Sequence, residues 1–156
     1  LEEAGIDAFD RYVIASEDEQ SHGYSEAFGR EAMSRLLELE PRPDAVFATS
    51  DVQAFGALSA LRDAHVRVPD EMAVVGYDDI RISKHIGLTT LRQPMYELGR
   101  LAAEKLLARI ADPDRVSSHT VFAPHLVARA STLQPAVGAT VGEPATLVNL
   151  IGASDA

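Results

Sequence analysis

The stretch Ala45–Asp79, AVFATSDVQAFGALSALRDAHVRVPDEMAVVGYDD, decides the fold. It contains two short uncharged runs, Ala45-Val-Phe-Ala-Thr49 and Met72-Ala-Val-Val-Gly76. The segment between them has a different period. From Val52 to His65, Phe55, Leu58 and Leu61 recur at helical spacing, and Ser50 or Asp51 stands where a helix start needs an acceptor for its free N–H groups. Val68-Pro69-Asp70 then turns the chain. Continuous apolar runs, unlike alternating ones, indicate strands buried on both faces. Strand, helix, strand in that order is the unit of a parallel sheet covered by helices on both sides.

The same alternation extends outward. Leu1 to Ala8 reads as the tail of a helix that closes at Gly5, and Tyr12-Val-Ile-Ala15 as a short strand. After a loop at Ser21 to Ser25, Glu26 to Glu40 is amphipathic, with Phe28, Ala32 and Leu36 on one stripe beside Met33 and Leu37. Pro41-Arg-Pro ends it. Downstream, Leu88 to Arg92 is extended. Pro94 suits the first turn of a helix reaching Ala111, with Leu98, Ala102, Leu106 and Ile110 four residues apart. Asp112-Pro113 stops that helix. Ser118 to Arg129 is extended again, broken at Pro124. From Leu133 the residues are small, and 133–156 reads as a flexible tail in which Leu147 to Ile151 is apolar enough to dock.

The chain has 156 residues, 46% hydrophobic and 24% charged, in keeping with one packed domain. Its formal net charge of −10 repels phosphate backbones, so nucleic acid is not an expected partner of this chain by itself. The absence of cysteine removes disulfides, thiolate chemistry and Cys-ligated zinc. No apolar run approaches the roughly 20 residues that span a bilayer, so no membrane association is expected. The chain begins at Leu1 and reads as a piece of something longer.

In parallel sheets, ligands bind outside the carboxyl ends of the strands. Two strands here end in polar residues at that edge, Thr49-Ser50-Asp51 and Tyr77-Asp78-Asp79. Asp51 and Asp79 have two readings, helix cap or ligand contact. Asp78 offers only acceptors, which match the adjacent hydroxyl donors of a sugar. Neighbouring residues on an extended chain point apart, so Asp78 and Asp79 make a poor acid–base pair. No nucleophile turn or phosphate-binding glycine loop occurs, and an enzyme is not expected. His22, His65, His85, His119 and His125 lack ligand-like spacing, so no metal and no cofactor is expected. Tyr24 is either a surface aromatic or a platform for a ligand ring.

Four strings, in order and at natural spacing, resemble the effector-binding domain of LacI/GalR-family transcriptional regulators: RPDAVFATSDVQAFGAL, VRVPDEMAVVGYDD, LTTLRQPMYELGRLAAEKLL and HLVARAST. The likeness covers Leu1 to Thr132. It implies a periplasmic binding protein-like I fold, α/β with a parallel sheet flanked by helices. The fold would be incomplete here, with the N-terminal lobe largely missing. Residues 1–93 and 112–132 would form the C-terminal lobe. Residues 94–111 would be a crossover helix that belongs to the N-terminal lobe and here has little to pack on. Large apolar surfaces would then be exposed.

The resemblance further implies a small-molecule effector, a sugar above all, bound between lobes to modulate DNA binding. Operator DNA would be contacted only through a helix-turn-helix module absent from this chain. A cytoplasmic homodimer is the expected form. By position in the motifs, Asp78 would hydrogen-bond the effector, Tyr24 would stack on it and Ser50 would touch it, while Gln93 and Met95 would border the cleft. Asp51 is expected to be a structural cap. The alternative is a periplasmic sugar-binding protein of a transporter, which shares the two-lobed fold.

Overall fold

Ser25 starts the first helix, α1 (Glu26–Leu37), by accepting the Phe28 amide at 3.1 Å. Ser50 does the same for α2 (Asp51–Asp63), accepting the Gln53 amide at 3.2 Å. These elements belong to a computed structural model that describes residues 10–16 and 23–133. The helix tail read at Leu1 to Ala8 and the tail beyond Leu133 lie outside the described residues.

Four strands form one sheet in the order β1 (Ala45–Phe47), β2 (Ala73–Asp78), β3 (Thr89–Arg92), β4 (His125–Val127). β1, β2 and β3 are parallel, with Val46 beside Val74 and Gly76 beside Thr90. β4 returns antiparallel to β3, with Leu91 beside Leu126. The extended run expected from Ser118 is therefore a strand only at its end. Tyr12 to Ala15, expected to be a strand, also differs: Asp10–Tyr12 is a single 3-10 turn. It is held by side chains, with the Tyr12 hydroxyl donating to the Pro41 carbonyl at 3.0 Å.

Helices α1 and α2 cross tightly because both are notched by glycine. A Cβ at Gly56 would strike the Glu26 carbonyl and the Arg30 amide, and one at Gly29 would strike the Gln53 backbone. Met33 and Leu36 from α1, Ala54, Ala57 and Leu61 from α2, and Val74 and Met72 below them make the core. Backbone faces backbone at the notch, so neither helix can yield locally. Gly56→Ala is expected to cost about 2–3 kcal/mol through overpacking, read as a lower urea midpoint with an unchanged slope.

The sheet is flanked by helices, but among the described residues they pack on one face. Val46, Val74 and Gly76 point towards α2, while Phe47 on the opposite face is 53% exposed. The crossovers β1–α2–β2 and β2–α3–β3, where α3 is Arg81–His85, step in the same direction, and right-handed connections then place their helices on the same side.

The third helix, α3, is a single turn that follows β2. It is too short to show a period, and the sequence reading missed it. The last helix, α4 (Met95–Ala111), buries none of its residues. Its half-buried positions are Leu98, Leu101, Lys105 and Ala108, so Ala102, Leu106 and Ile110 of the expected apolar stripe face outward.

Candidate functional site

The carboxyl ends of β1 and β2 and the amino end of α1 share one edge of the sheet. α1 runs back towards the start of β1, so its own start lies at the other end. A buried glutamine fixes the arrangement: Gln53 Nε2 donates to the Gly23 carbonyl at 2.9 Å, and Gln53 Oε1 accepts the Thr49 hydroxyl at 2.8 Å. Gly23 adopts φ +76°, a turn that suits glycine, and delivers Tyr24 to the edge with 61% of its surface exposed. Gln53 was not singled out from sequence, where it is one more polar residue in a helix.

The three aspartates do three different things. Asp51 is fully buried but does not cap its own helix, the role expected for it. Its Oδ2 accepts the Ile80 amide at 2.9 Å and the Ser83 hydroxyl at 2.5 Å, and its Oδ1 accepts the Thr90 hydroxyl at 2.6 Å. One carboxylate thus joins α2, β3 and the start of α3. Gly76 is required beneath it, since a Cβ there would collide with Asp51 Oδ1.

Asp79 is not a cap either. Its Oδ1 accepts Arg129 Nη2 at 2.6 Å and its Oδ2 accepts Arg92 Nε at 2.5 Å. The α3 N-cap residue is Ile80, with no side-chain bond. Burial alone would push the Asp79 carboxyl up. The hydrogen bonds from Arg129 and Arg92, with their positive charges, outweigh it and hold the group below the ordinary carboxylate value of 3.8.

Asp78 stands in the edge itself. Asp78 and Asp79 both have left-handed backbones, φ +115° and +54°. Such conformations cost non-glycine residues of order 1–3 kcal/mol each and persist only where the surroundings enforce them. Here the enforcement is visible: the Asp79 amide donates to the Thr90 hydroxyl at 3.3 Å, the Ile80 amide to Asp51, and the two arginines clamp Asp79. The result is an acceptor held out from the strand end. Asp78 Oδ1 accepts Gln93 Nε2 at 2.7 Å, and Gln93 immediately precedes the turn into α4. Met95, expected beside Gln93, is well exposed.

Ser50 is placed differently from a ligand contact. It is 5% exposed and its hydroxyl accepts the Gln53 amide as the α2 cap. The exposed hydroxyl-bearing residue at this strand end is Thr49. Asp78 and Tyr24 are accessible at the sheet edge. Among the described residues no three His, Cys, Asp or Glu side chains are grouped to hold a metal ion, and no helix is long and apolar enough to cross a membrane.

Comparison with known proteins gives one answer. Residues 1–132 match the periplasmic binding protein-like domain family. The HTH-type transcriptional repressor PurR of Mannheimia succiniciproducens is 38% identical over 133 residues, which is 84% of this chain and 38% of the repressor. The chain therefore spans under two fifths of that relative's length. The solved complex of the transcriptional regulator CelR with cellobiose is 35% identical with a TM-score of 0.72, over 83% of this chain and 38% of that one. A LacI family regulator of Enterococcus faecium, solved with bound ribose, is 32% identical with a TM-score of 0.62, over 70% of this chain and 41% of that one.

Proposed function

Because the chain belongs to the periplasmic binding protein-like family of LacI-type regulators, as the C-terminal part of their effector-binding domain, we propose that it senses a sugar for a transcriptional repressor. The observation that carries the reading is Asp78. A carboxylate on a strained, multiply tethered backbone at the carboxyl edge of a parallel sheet is a pre-set acceptor for two adjacent hydroxyls. Tyr24 provides a flat apolar surface for the sugar ring. Ser50 serves the site through the α2 cap and Gln53, not by direct contact.

The bound ribose and cellobiose of the two solved regulators support a sugar over other effectors. The repressor among the relatives supports regulation over transport. In this reading α4 and residues 94–111 belong with a second lobe that completes the cleft, and 1–93 with 112–132 form the first. The chain performs no chemistry. Operator DNA is contacted through a helix-turn-helix module outside this chain, in a cytoplasmic homodimer. The groove between α2 and α3, lined by Phe55, Leu58, Ile82 and Ile86, is an apolar surface suited to a second copy.

Asp78→Gly tests the reading in the full-length regulator. Glycine removes the acceptor and relieves the left-handed backbone at once. Losing a charge-assisted hydrogen bond costs roughly 1.5–3 kcal/mol, so ribose or cellobiose should bind about tenfold or more weakly by calorimetry. Melting should stay equal or rise, because strain is removed. Unchanged affinity for every sugar that the parent binds would take Asp78 out of the site.

A further inference from the structure

Gln53 is 8% exposed, and its amide can sit only one way round. The Gly23 carbonyl accepts and cannot donate, so the end of the amide that faces it is the Nε2 donor, at 2.9 Å. The other end, Oε1, faces the Thr49 hydroxyl at 2.8 Å and accepts its proton. The Gln53 backbone cannot shift to undo this. It meets Gly29 of α1 at the helix crossing, where a Cβ has no room. The Gly23 carbonyl is held as well, since the Ser25 amide donates to it at 2.7 Å. One amide therefore sets the direction of the Thr49 proton. A hydroxyl whose single proton is spent inward shows only lone pairs outward. Thr49 is exposed, so what it offers at the surface is an acceptor.

That acceptor stands at the ligand edge. Phe47 pairs with Val75, and the Ala48 amide still donates to the Val75 carbonyl at 2.8 Å. Thr49 and Asp78 thus leave the ends of neighbouring strands, which lie about 4.8 Å apart. Tyr24 follows Gly23, on the far side of the Gln53 amide.

We propose that Thr49 reads one hydroxyl of the effector as an obligate acceptor, and that Gln53 is the positioning residue that holds it in that state. The inference deepens the sugar reading given above and rests on it. A free threonine hydroxyl adapts, donating to one ligand oxygen or accepting from another. With its proton committed to Gln53, Thr49 accepts a ligand O–H but meets an ether oxygen or a fluorine lone pair to lone pair. A site built this way selects a hydroxyl at that position and rejects the analogue that lacks it.

Fluorine in place of a hydroxyl keeps the shape and removes the donor. A panel of free sugars that includes D-ribose and cellobiose, titrated into the full-length regulator by calorimetry, identifies a sugar that binds. Its monodeoxyfluoro analogues, one for each hydroxyl, are then titrated in the same way. The parent should lose about tenfold in affinity at the hydroxyl that Thr49 reads. Thr49→Val should bind the sugar more weakly and treat that one analogue and the sugar alike, with the penalties at other positions kept. Thr49→Ser should behave as the parent. Gln53→Met frees the Thr49 proton to turn outward and should shrink the same penalty. Circular dichroism melts check that each variant is folded at the titration temperature, and the scan on the parent needs no variant. A parent scan without a penalty at any hydroxyl overturns the inference. So does a Thr49→Val scan with every penalty intact, and in that case the sugar reading stands. A penalty that survives in Gln53→Met overturns the role of Gln53. A parent that binds no sugar in the panel overturns the sugar reading, and this inference with it.

Discussion

Asp51→Ala is expected to lower the unfolding free energy by about 3–5 kcal/mol, a large fraction of the stability of a chain this size. The carboxylate is fully buried and receives three donors, the Ile80 amide, the Ser83 hydroxyl and the Thr90 hydroxyl. Alanine leaves all three facing a cavity. The two hydroxyls can rotate to other acceptors, but an amide cannot, and an orphaned buried donor costs roughly 1–3 kcal/mol. The cavity adds to that. Asp51→Asn keeps one acceptor and turns an NH₂ group towards a donor, so it should fall between parent and alanine. Urea denaturation of the three proteins is the measurement. A loss under about 1 kcal/mol for alanine would mean that the network re-forms without the carboxylate.

The functional consequence is larger than the energetic one. The Asp51 bond to Ile80 is one of the tethers that keep Asp78 and Asp79 in left-handed conformations. Weakening it lets the strand end relax, and Asp78 moves off its position before the domain unfolds. Sugar affinity should therefore fall in Asp51→Asn even where the protein remains folded. Asp51 never touches the effector in this account; it holds the backbone that presents Asp78.

Much of this architecture was legible in the sequence, and the reasons are physical. Met72 to Gly76 is a short continuous apolar run that follows a turn at Val68-Pro69-Asp70 and leads into Tyr77-Asp78-Asp79, and that length and setting suit an interior parallel strand. The carboxyl edge follows from the strand direction, so the location of Asp78 followed too. The division of labour among Asp51, Asp78 and Asp79 did not. Capping was a sound expectation for Asp51 and Asp79, yet Ser50 already caps α2, which leaves Asp51 free to bond across to Ile80 and Thr90. Asp79 is claimed by Arg129, fifty positions later in the chain. Contacts at that separation leave no periodic trace. Gln53 and α3 were missed for similar reasons. The first acts through one bond to Gly23, thirty positions away, and the second is a single turn held by Ser83 on Asp51.

Arg129→Met should cost about 3 kcal/mol at neutral pH and proportionately less in acid. The Arg129 side chain is 13% exposed and donates to Asp79 Oδ1 at 2.6 Å and to the Leu88 carbonyl at 2.7 Å. Without it, Asp79, with a side chain 6% exposed, depends on Arg92, whose side chain is 57% exposed and well screened. Asp79 in the parent titrates below the ordinary value of 3.8. A depressed folded pKa contributes stability that is complete above the unfolded value, about 4, and fades as the pH falls through the folded one. In the variant the burial penalty is no longer outweighed, so the folded pKa climbs towards or past the unfolded one, and the loss of stability in acid shrinks or reverses. The gap between parent and variant should therefore be widest near neutrality and narrow below about pH 4, leaving only the lost bond to Leu88. Unfolding free energies at intervals from neutrality to about pH 3 would trace it. A gap independent of pH would show that Arg129 acts by packing and by Leu88 alone, and that Asp79 owes its position to Arg92. In that event the strain at Asp78 would be maintained from the β3 side, and Arg92 would become the residue on which the geometry of the sugar site depends.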